Sequence, residues 1–485
     1  MSGIVSYGAY IPKYRIDRKL IYKSMGWLNP ATFMPGEKAV ANYDEDSVTM
    51  AVAAGIDCLT EIDRTGVDAV FFATATSPYA ERQGAEIIAT ALDCRSDIRT
   101  ADITDTPKAG TTALLSAVDA VKAGSIKKAM VCAADMRVGK AGSAQEEIFG
   151  DGAAALLLGE NDVVAEYAGA FSVSYDFVDH WRSSGDRFDQ QWEDRFIRDV
   201  GYTRFIVEAM EGLAKACGIQ KTDMTQVIYP CLYAGDFKKI ARTLGLSASQ
   251  MITPLLGQVG YAGTADPLMH LVMALEEATP GDKIAVVGYG AGADAVLFEV
   301  TEEIEKIKGK QKGIAGHLTA KRELKSYEKM AAFRNLLHTE KGIRGENVAF
   351  TAFSTLWKNR REVLGLVGSF CEACGTPQYP VQRVCVKPDC GAIDEMTPYR
   401  FSDRKGVLFT YTGDNLAFSP DPPAIYGFVD FEGGGRFWFD VTDMDLEEAK
   451  VGMPVEMSFR KKYVDEKFGI HGYFWKAVPV IRRIS

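Results

Sequence analysis

The sequence predicts a large duplicated α/β domain, followed by a cysteine-rich segment and a small β-barrel. Over residues 1–300, short apolar β-rich runs alternate with amphipathic segments of helical period. The order helix, glycine, strand, turn, strand occurs twice there, about 155 residues apart, which indicates a duplicated half-domain and not a solenoid. After residue 365 the chain changes to short alternating runs rich in Phe, Val, Tyr and Gly. Such runs, separated by turn residues, are typical of a barrel.

Apolar periodicity places the individual elements of the first 300 residues. Runs rich in β-branched and aromatic residues predict strands, and apolar residues at helical spacing predict helices. The glycines of GDGAA and GYGAG permit tight turns between strands. The predicted strands are residues 68–75, 127–134, 153–159, 226–232, 283–288 and 295–300. The predicted helices are residues 47–62, 84–93, 108–123, 202–216 and 265–278.

The remainder of the chain divides into three segments. Residues 301–364 are rich in Lys and Glu with few large apolar side chains, which predicts a charged, partly helical connector with a solvated face. Residues 365–400 hold a cluster of cysteines. Residues 401–485 contain five alternating runs and predict the barrel.

The composition is that of a globular protein and excludes several functional classes. The 485 residues carry 55 Lys+Arg against 65 Asp+Glu, a formal net charge of −10, and 47% are hydrophobic. An acidic chain lacks the basic face that binds phosphates, so no nucleic-acid partner is expected. No apolar run approaches the length of about 18 residues that a membrane span needs, and no signal-peptide core is present. We therefore expect a cytoplasmic protein without membrane contact.

Four of the nine cysteines predict a metal site. Paired cysteines on two turns supply the four soft ligands that tetrahedral Zn²⁺ prefers, and four thiolates close its shell, so the ion would be structural. The alternative is four unliganded thiols. The odd total and the clustering argue against a secreted disulfide framework. The predicted ligands are Cys371, Cys374, Cys385 and Cys390. The remaining cysteines are interpreted as small buried apolar residues: Cys58, Cys94, Cys132, Cys217 and Cys231.

The C-terminal motifs carry a family resemblance. They are the CEAC pair, the run GVLFTYTG, the stretch PPAIYGFVDFEGGG and the closing VGMPVEMSFR. With these motifs, residues 365–485 resemble the zinc-ribbon and OB-fold proteins that accompany acyl-CoA thiolases. The resemblance implies a role with acyl-CoA or with a partner protein. An OB-fold alone can bind oligonucleotides, but the barrel segment has no evident stripe of basic and aromatic residues.

The first 300 residues carry a second resemblance. GIVSYGAYIPKYRI opens the chain, KAGTTALLSA begins a helix, and FGDGAAALLLG and GYGAGADAV mark the two halves. This region resembles the 3-hydroxy-3-methylglutaryl-CoA synthase branch of the thiolase superfamily, in particular its archaeal type. The resemblance implies a duplicated thiolase fold, a homodimer formed through this domain, a pantetheine tunnel to a buried site and a coenzyme A thioester as substrate. It also implies a separate thiolase or hydratase as a further partner.

The family's catalytic triad does not carry over. Its nucleophilic Cys falls on Pro107 in DTPKAGT, its Glu falls on Ala75 in ATATSPY, and its His falls in a stretch beginning at Pro230 that contains no histidine. Acyl transfer needs a nucleophile that holds the acyl group. An aldol or retro-aldol step needs only a stabilised thioester enolate and one acid/base group. The first hypothesis is therefore an acyl-CoA aldolase or lyase that acts on a β-hydroxyacyl-CoA without an acyl-enzyme.

Two alternatives stay open. One is an HMG-CoA synthase-like condensing transferase with an unrecognised nucleophile. The other is a non-catalytic scaffold that binds acyl-CoA for a thiolase complex.

Candidate acid/base groups are the polar side chains of the former catalytic loops. Tyr233 and Asp236 lie in the loop of the missing His. A tyrosine acts as a base near neutral pH only where a positive group lowers its pKa from about 10. Lys238 and Lys239 are close in sequence and either supply that charge or contact the phosphates of coenzyme A.

Further candidates flank the two glycine-rich motifs and the missing Cys. Asp105 precedes Pro107, which is predicted as the first residue of a helix capped by Thr106 or Asp105, with its positive terminus toward the site. The turn with Gly288 and Gly290 is expected to supply backbone N–H donors. Three more candidates complete the set: Tyr261 in QVGYAGTADP, Tyr289 in the glycine turn and His180 in DFVDHWR. His270 is interpreted as a core residue.

Overall fold

The computed structural model of the chain describes residues 2–342, 345 and 350–480. The described residues of 1–41, 46–88 and 95–330 form one compact unit, and those of 42–45, 89–94 and 331–485 form a second. No helix within the described residues combines the length and the apolar character that crossing a membrane requires.

The described elements are numbered in chain order. The strands are β1 (Gly3–Tyr10), β2 (Tyr14–Asp17), β3 (Glu37–Val40), β4 (Ala69–Ala73), β5 (Arg99–Ile103), β6 (Ala129–Asp135), β7 (Gly152–Gly159), β8 (Ala165–Ser174), β9 (His180–Trp181), β10 (Gln190–Gln191), β11 (Gln226–Ile228), β12 (Lys283–Tyr289), β13 (Gly292–Val300), β14 (Arg322–Glu323), β15 (Val367–Cys371), β16 (Pro377–Gln378), β17 (Met396–Arg400), β18 (Gly406–Asp414), β19 (Ala424–Phe431), β20 (Arg436–Val441), β21 (Pro454–Asp465) and β22 (Ile470–Pro479). The α-helices are α1 (Arg18–Met25), α2 (Ser47–Cys58), α3 (Gly84–Ala91), α4 (Ala109–Lys122), α5 (Ala144–Ile148), α6 (Asp194–Phe196), α7 (Thr203–Cys217), α8 (Ala234–Leu244), α9 (Asp266–Glu277), α10 (Ile304–Ile307), α11 (Gly313–Thr319), α12 (Tyr327–Phe333), α13 (Phe353–Lys358) and α14 (Arg360–Gly365).

The first unit is built on a sheet whose two halves repeat one pattern. Nine of the described strands pair in the order β11-β12-β13-β8-β1-β7-β6-β4-β5. In one half β1 pairs antiparallel with β7, β7 antiparallel with β6, and β6 parallel with β4. In the other half β8, β13, β12 and β11 repeat these relations in the same order. The halves meet where β1 pairs with β8, at Gly3 and Ile4. The predicted duplication is confirmed.

Helices cover the strands because the strands are apolar on both faces. β4, β6 and β7 are buried along their whole length, as expected for strands covered on both sides. Helix α2 packs on β1, β6 and β7, and α7 packs on β8, β12 and β13. Helices α4 and α9 contact each other and strands of both halves. This layered arrangement confirms the predicted thiolase-like fold class.

The segment 301–330 packs into the first unit, although its many Lys and Glu residues predict that it belongs to the connector. Ile304 and Ile314 are fully buried in the core that includes Leu114 and Leu268. The pattern of charges obscures this packing because the two apolar side chains stand singly among Lys and Glu. The helical character predicted for this segment is confirmed by α10 and α11.

The second unit contains a small three-stranded sheet and a closed barrel. The order β16-β15-β17 forms the sheet, and β18-β19-β20-β22-β21 closes the barrel. Trp475 of β22 is fully buried. Its indole N–H donates a hydrogen bond to the Leu364 carbonyl at 2.7 Å. The five runs after residue 400 therefore form the five predicted barrel strands.

Candidate active site in the first unit

A cleft in the first unit lies where the ends of strands and the beginnings of helices from both halves come together. Its empty volume, with the solvent space at its open side included, is about 560 Å³. Pro107 reaches it from the turn before α4, Tyr289 from the end of β12, and His180 from β9. The lining residues are Pro107, Arg137, Gln145, Ile148, Phe149, Asp179, His180, Asp189, Gln190, Gln191, Ile197, Leu232, Tyr233, Tyr261 and Tyr289.

The glycine turn of the second half packs directly against Pro107. A Cβ added to Gly290 would lie 2.9 Å from the Pro107 ring and 2.6 Å from Thr106 Oγ1, so the close approach requires glycine. The Gly290 N–H donates to the Gly292 carbonyl at 3.0 Å and is not a donor for substrate. Gly288 packs in the same way against Thr111. These glycines shape the cleft wall.

The start of helix α4 differs from the prediction. The helix begins at Ala109, and its N-cap is Lys108, which makes no capping hydrogen bond with its side chain. Asp294 lies at the first turn and accepts hydrogen bonds from Lys108 Nζ at 3.0 Å and from Thr111 at 3.2 Å. A carboxylate at this place neutralises the positive helix terminus. The predicted helix start at Pro107, with Thr106 or Asp105 as the cap, is wrong, because Lys108 takes the cap position.

An aspartate, a histidine and a tyrosine are hydrogen-bonded at one end of the cleft. Asp179 accepts from His180 Nδ1 at 2.7 Å and from the Tyr289 hydroxyl at 2.8 Å. Burial acts to raise the pKa of the Asp179 carboxyl, but the hydrogen bonds of His180 and Tyr289 outweigh it and lower that pKa. Burial and the neighbouring Asp179 raise the pKa of Tyr289. The arrangement is an ionised carboxylate that orients an imidazole, whose Nε2 is left for substrate.

Two further tyrosines line the cleft as neutral phenols. The Gln191 amide donates to the Tyr233 hydroxyl at 3.3 Å, and β9 and β10 pair so that Gln191 stands opposite His180. Burial raises the pKa of Tyr233 and of Tyr261, which is 3% exposed. Arg198 over the Tyr233 ring at 5.3 Å acts against the burial effect without reversing it. Both side chains are therefore hydrogen-bond donors at neutral pH, and a lowered Tyr233 pKa, which a base would need, is absent.

A buried arginine forms the opposite wall. Arg137 Nε donates to Asp189 at 2.8 Å, and its guanidinium carbon lies 4.2 Å from the centre of the Phe149 ring. Asp189 also faces Arg182 at 3.7 Å. Arginine is suited to this place because its planar group can stack on an aromatic face while it pairs with a carboxylate.

Several predicted site residues lie outside the cleft lining. Asp236 is buried at the start of α8 and forms an ion pair with Arg198. Asp105 is exposed and adopts a left-handed backbone conformation before Pro107. Lys238 and Lys239 are exposed on α8, where Lys239 pairs with Asp199 at 3.4 Å. None of the four lines the cleft. His270 is 3% exposed and bonds to backbone, as a core residue does.

Ala75 and Pro230, where the sequence motifs predict the family's Glu and the start of its His loop, form hydrogen bonds through their backbone. The Ala75 carbonyl accepts from Arg182, and its N–H donates to Asp135 at 2.7 Å. The Pro230 carbonyl accepts from the buried Tyr202 hydroxyl. Asp135 also accepts from Thr74, Thr76 and the Thr264 N–H, so it holds this loop in place.

Sequence reasoning missed the charged members of the cleft. Asp179, Arg137 and Asp189 carry no motif, and Gln145 and Gln191 belong to segments without clear periodicity. The one available indication is that Asp179 directly precedes the histidine chosen as a candidate.

The four clustered cysteines converge in the second unit. Their Sγ atoms all lie within 4.8 Å of one another, with Cys371 and Cys390 at 3.8 Å and Cys374 and Cys385 at 3.5 Å. A tetrahedral site with Zn–S bonds of about 2.3 Å places sulfur atoms about 3.8 Å apart. The sulfur positions and the soft donor set therefore fit Zn²⁺.

The barrel region matches one family model. Residues 399–460 match the family described as ChsH2, C-terminal OB-fold domain. This match covers four of the barrel strands in whole or in part.

Sequence relatives match about two thirds of the chain. The chain is 34% identical over 346 residues to hydroxymethylglutaryl-CoA synthase of Methanocaldococcus jannaschii, and this alignment covers 69% of this chain and 99% of the relative. It is 34% identical over 316 residues to the enzyme of the same name from Methanopyrus kandleri, with coverage of 64% and 90%. Each alignment thus includes most of the relative and leaves about a third of this chain outside.

Solved structures share the fold at lower identity. A crystal structure of HMG-CoA synthase complexed with CoA is similar with a TM-score of 0.62 and 19% identity, over 72% of this chain and 94% of that one. The 3-oxoacyl-[acyl-carrier-protein] synthase III of Aquifex aeolicus VF5 is similar with a TM-score of 0.53 and 19% identity, over 62% of this chain and 100% of that one.

Proposed function

The chain belongs to the hydroxymethylglutaryl-CoA synthase family, and from that premise we propose that its first unit makes or breaks a carbon–carbon bond in an acyl-CoA thioester without an acyl-enzyme. The observation that carries the proposal is the composition of the cleft. It contains an Asp–His pair and neutral tyrosines, and Pro107 lines it, at the position where the motif KAGT predicts the family's nucleophile. Proline has no group that can hold an acyl chain.

His180 acts as the general base in the direction of cleavage. Its Nε2 accepts the proton of the β-hydroxyl, the Cα–Cβ bond breaks, and the bonding electrons pass into the thioester enolate. The β-carbon becomes a ketone or aldehyde carbonyl, and the enolate takes a proton at its α-carbon to give a shorter acyl-CoA. Asp179 is a positioning residue that keeps the proton on Nδ1 and stabilises the imidazolium that forms.

The phenols of Tyr233 and Tyr261 donate hydrogen bonds to the enolate oxygen. Their raised pKa values keep them protonated, so they stabilise a developing negative charge without losing their own proton. The apolar wall around them lowers the local dielectric and strengthens this interaction.

A condensing transferase is the second candidate, and the names of the sequence relatives favour it. It requires a nucleophile in the cleft. Burial raises the pKa of Cys231 to about 12, which leaves little thiolate at neutral pH, and this side chain does not line the cleft. The cleft composition therefore supports the aldol reaction over acyl transfer.

The experiment is incubation of the full chain with a panel of 3-hydroxyacyl-CoA esters, with products identified by mass spectrometry. We expect a shorter CoA ester and a ketone or aldehyde in equal amounts. The variant His180→Gln should lose about 100-fold or more of the rate. His338→Gln, at an exposed histidine, is the matched control. A CoA ester with a longer acyl chain, together with a transient adduct on the protein, would support the transferase. If the CoA esters stay unchanged, the non-catalytic scaffold is the remaining hypothesis.

The proposal also includes a metal ion, an oligomeric state and a location in the cell. We expect Zn²⁺ on the four cysteines, where it supplies a structural cross-link and takes no part in the reaction. We also expect a homodimer in the cytoplasm.

A further inference from the structure

We propose that the fragment released as a ketone or aldehyde is uncharged and apolar and carries no carboxylate. The inference rests on the proposed function, because His180 must contact the β-hydroxyl and this places the fragment within the cleft. It concerns the substrate class, which the family membership leaves open.

The walls of the cleft are predominantly apolar. Pro107, Ile148, Phe149, Ile197 and Leu232 contribute hydrocarbon surface, and three tyrosines add the faces of their rings. When such a wall covers an alkyl or aryl group, the free energy of binding becomes more favourable in proportion to the apolar area removed from water.

The charged groups of the cleft are paired with one another. Arg137 is engaged by Asp189, which Arg182 also faces, and Asp179 is engaged by His180 and Tyr289. Among the described lining residues, every charged side chain has such a partner. The resulting charge balance is two aspartates against Arg137 in the lining, with Arg182 beside Asp189 but outside it.

A substrate carboxylate would disturb this balance. To pair with the two guanidinium nitrogens that hold Asp189, it would have to displace that carboxylate, which would keep only Arg182, at 3.7 Å, as a cationic partner. If it did not displace Asp189, it would lie in a confined cleft with two aspartates. Like-charge contacts of this kind discriminate strongly against a ligand.

The test compares two CoA esters that differ only in the group in question. 3-Hydroxy-3-methylglutaryl-CoA carries a carboxylate, and 3-hydroxy-3,5-dimethylhexanoyl-CoA carries an isopropyl group of similar shape in its place. Cleavage would give acetyl-CoA with acetoacetate from the first ester and acetyl-CoA with 4-methylpentan-2-one from the second. We expect kcat/KM to favour the neutral ester by about 100-fold or more.

A variant tests the role of the Arg137–Asp189 pair. Asp189→Asn removes the charge that holds Arg137 and frees the guanidinium for a substrate carboxylate. The preference for the neutral ester should shrink by about tenfold or more. Asp199→Asn, at an exposed aspartate, should leave the preference unchanged.

The outcomes separate this inference from the proposed function. Cleavage of the carboxylate ester at an equal or higher rate would overturn the inference while carbon–carbon cleavage stands. If neither ester is cleaved, the proposed function fails, and the two dissociation constants from calorimetry decide the inference. Tighter binding of the neutral ester would support it, and equal or weaker binding would overturn it.

Discussion

At the scale of single residues, the proposed chemistry depends on one imidazole nitrogen. Asp179 holds Nδ1 of His180, and because the pKa of Asp179 is lowered it stays ionised at every pH at which the enzyme is expected to work. The side chain of Asp179 is 6% exposed and that of His180 is 25% exposed, so the pair is shielded from water while Nε2 remains accessible.

Replacing Asp179 by Asn should lower kcat by about 100-fold or more, since the amide no longer fixes the productive tautomer or stabilises the imidazolium. KM should change little, because Asp179 does not contact substrate. Asp199→Asn is the control, and an unchanged kcat in Asp179→Asn, or a loss that appears only in KM, would argue against the positioning role.

Replacing Tyr233 by Phe should lower kcat by about 100-fold, since the ring packing is kept and the hydrogen-bond donor is lost. The free energy of unfolding should change little, because the phenol loses only its hydrogen bond with the Gln191 amide, which is 3.3 Å long. Tyr175→Phe removes a phenol that bonds to Glu208 away from the cleft, and it should keep full activity. Full activity in Tyr233→Phe would transfer the proposed role to Tyr261.

Sequence reasoning found the tyrosines and the histidine of the cleft but not the charged residues that orient them. Consecutive side chains of an extended strand point to opposite faces, so DFVDHWR does not predict a contact between Asp179 and His180. The contact forms because the Asp179 carboxylate also accepts a hydrogen bond from the His180 backbone N–H, at 2.7 Å. This bond directs the carboxylate toward the next residue in the chain, where it also reaches the imidazole. Asp189 is unpredictable for another reason, since its pairing with Arg137 spans distant parts of the chain.

At the scale of elements, apolar periodicity located the buried strands and helices well. The predicted strand 283–288 differs from β12 by one residue at one end, and the predicted helix 202–216 differs from α7 by one residue at each end. These elements are long and fully apolar on the buried side, so the pattern is strong. The segment 175–200 escaped prediction because its short elements, β9, β10 and α6, are held by side-chain contacts and not by periodic burial.

The cysteine element should depend on metal. Unchelated protein should contain about one Zn²⁺ per chain by elemental analysis, and a strong chelator should increase hydrogen exchange in residues 365–400 while the first 300 residues stay protected. Cys374→Ser should reproduce the effect of the chelator. Cys94→Ser, at a cysteine outside the cluster, is the control. Less than about half an equivalent of zinc would count against the site.

A buried ion cluster should stabilise strand β21 in the second unit. Arg460 is 1% exposed and pairs with Asp44 at 3.0 Å, Glu45 at 3.1 Å and Asp443 at 2.6 Å. Arg460→Met removes the guanidinium that these three buried carboxylates share and should cost about 3–5 kcal/mol of local stability. Arg436→Met, at an exposed pair with Asp430, should cost at most about 1 kcal/mol. Hydrogen exchange of β21 and β22 measures both variants, and equal effects would refute the cluster's role.

The same cluster gives a pH dependence with a defined sign. Burial acts to raise the pKa of Asp44, but Lys476 and Arg460 outweigh it and lower that pKa to about 2. The stabilisation is therefore complete above the unfolded-state pKa of about 4 and is lost as the pH falls toward 2. Protection of β21 in the native protein should decline over that interval, and Asp44→Asn should remove this contribution to the decline.

At the scale of the whole molecule, fold and chemistry are encoded in different parts of the sequence. Glycine-rich motifs mark both halves, and in the second of them close packing against Pro107 and Thr111 admits only glycine at Gly290 and Gly288. The reaction depends on a few polar side chains around the cleft, and these can change while the packing is kept. Family membership therefore predicts the architecture of this chain better than it predicts the reaction.

Among the described residues that line the cleft none is a cysteine, serine or lysine, which predicts that no acyl group becomes attached to the chain. After incubation with acetyl-CoA, the intact mass should be unchanged, because Pro107 cannot accept an acyl group and the raised pKa of Cys231 keeps its thiol protonated. Pro107→Cys places a thiol in the cleft that His180 lines, and an acetyl adduct on this variant would show that the assay detects one. An adduct on Cys231 of the native protein would contradict the prediction and favour the condensing transferase. The kinetics separate the same two mechanisms, since a transferase with an acyl-enzyme gives ping-pong patterns and direct aldol addition requires both reactants in the cleft at once.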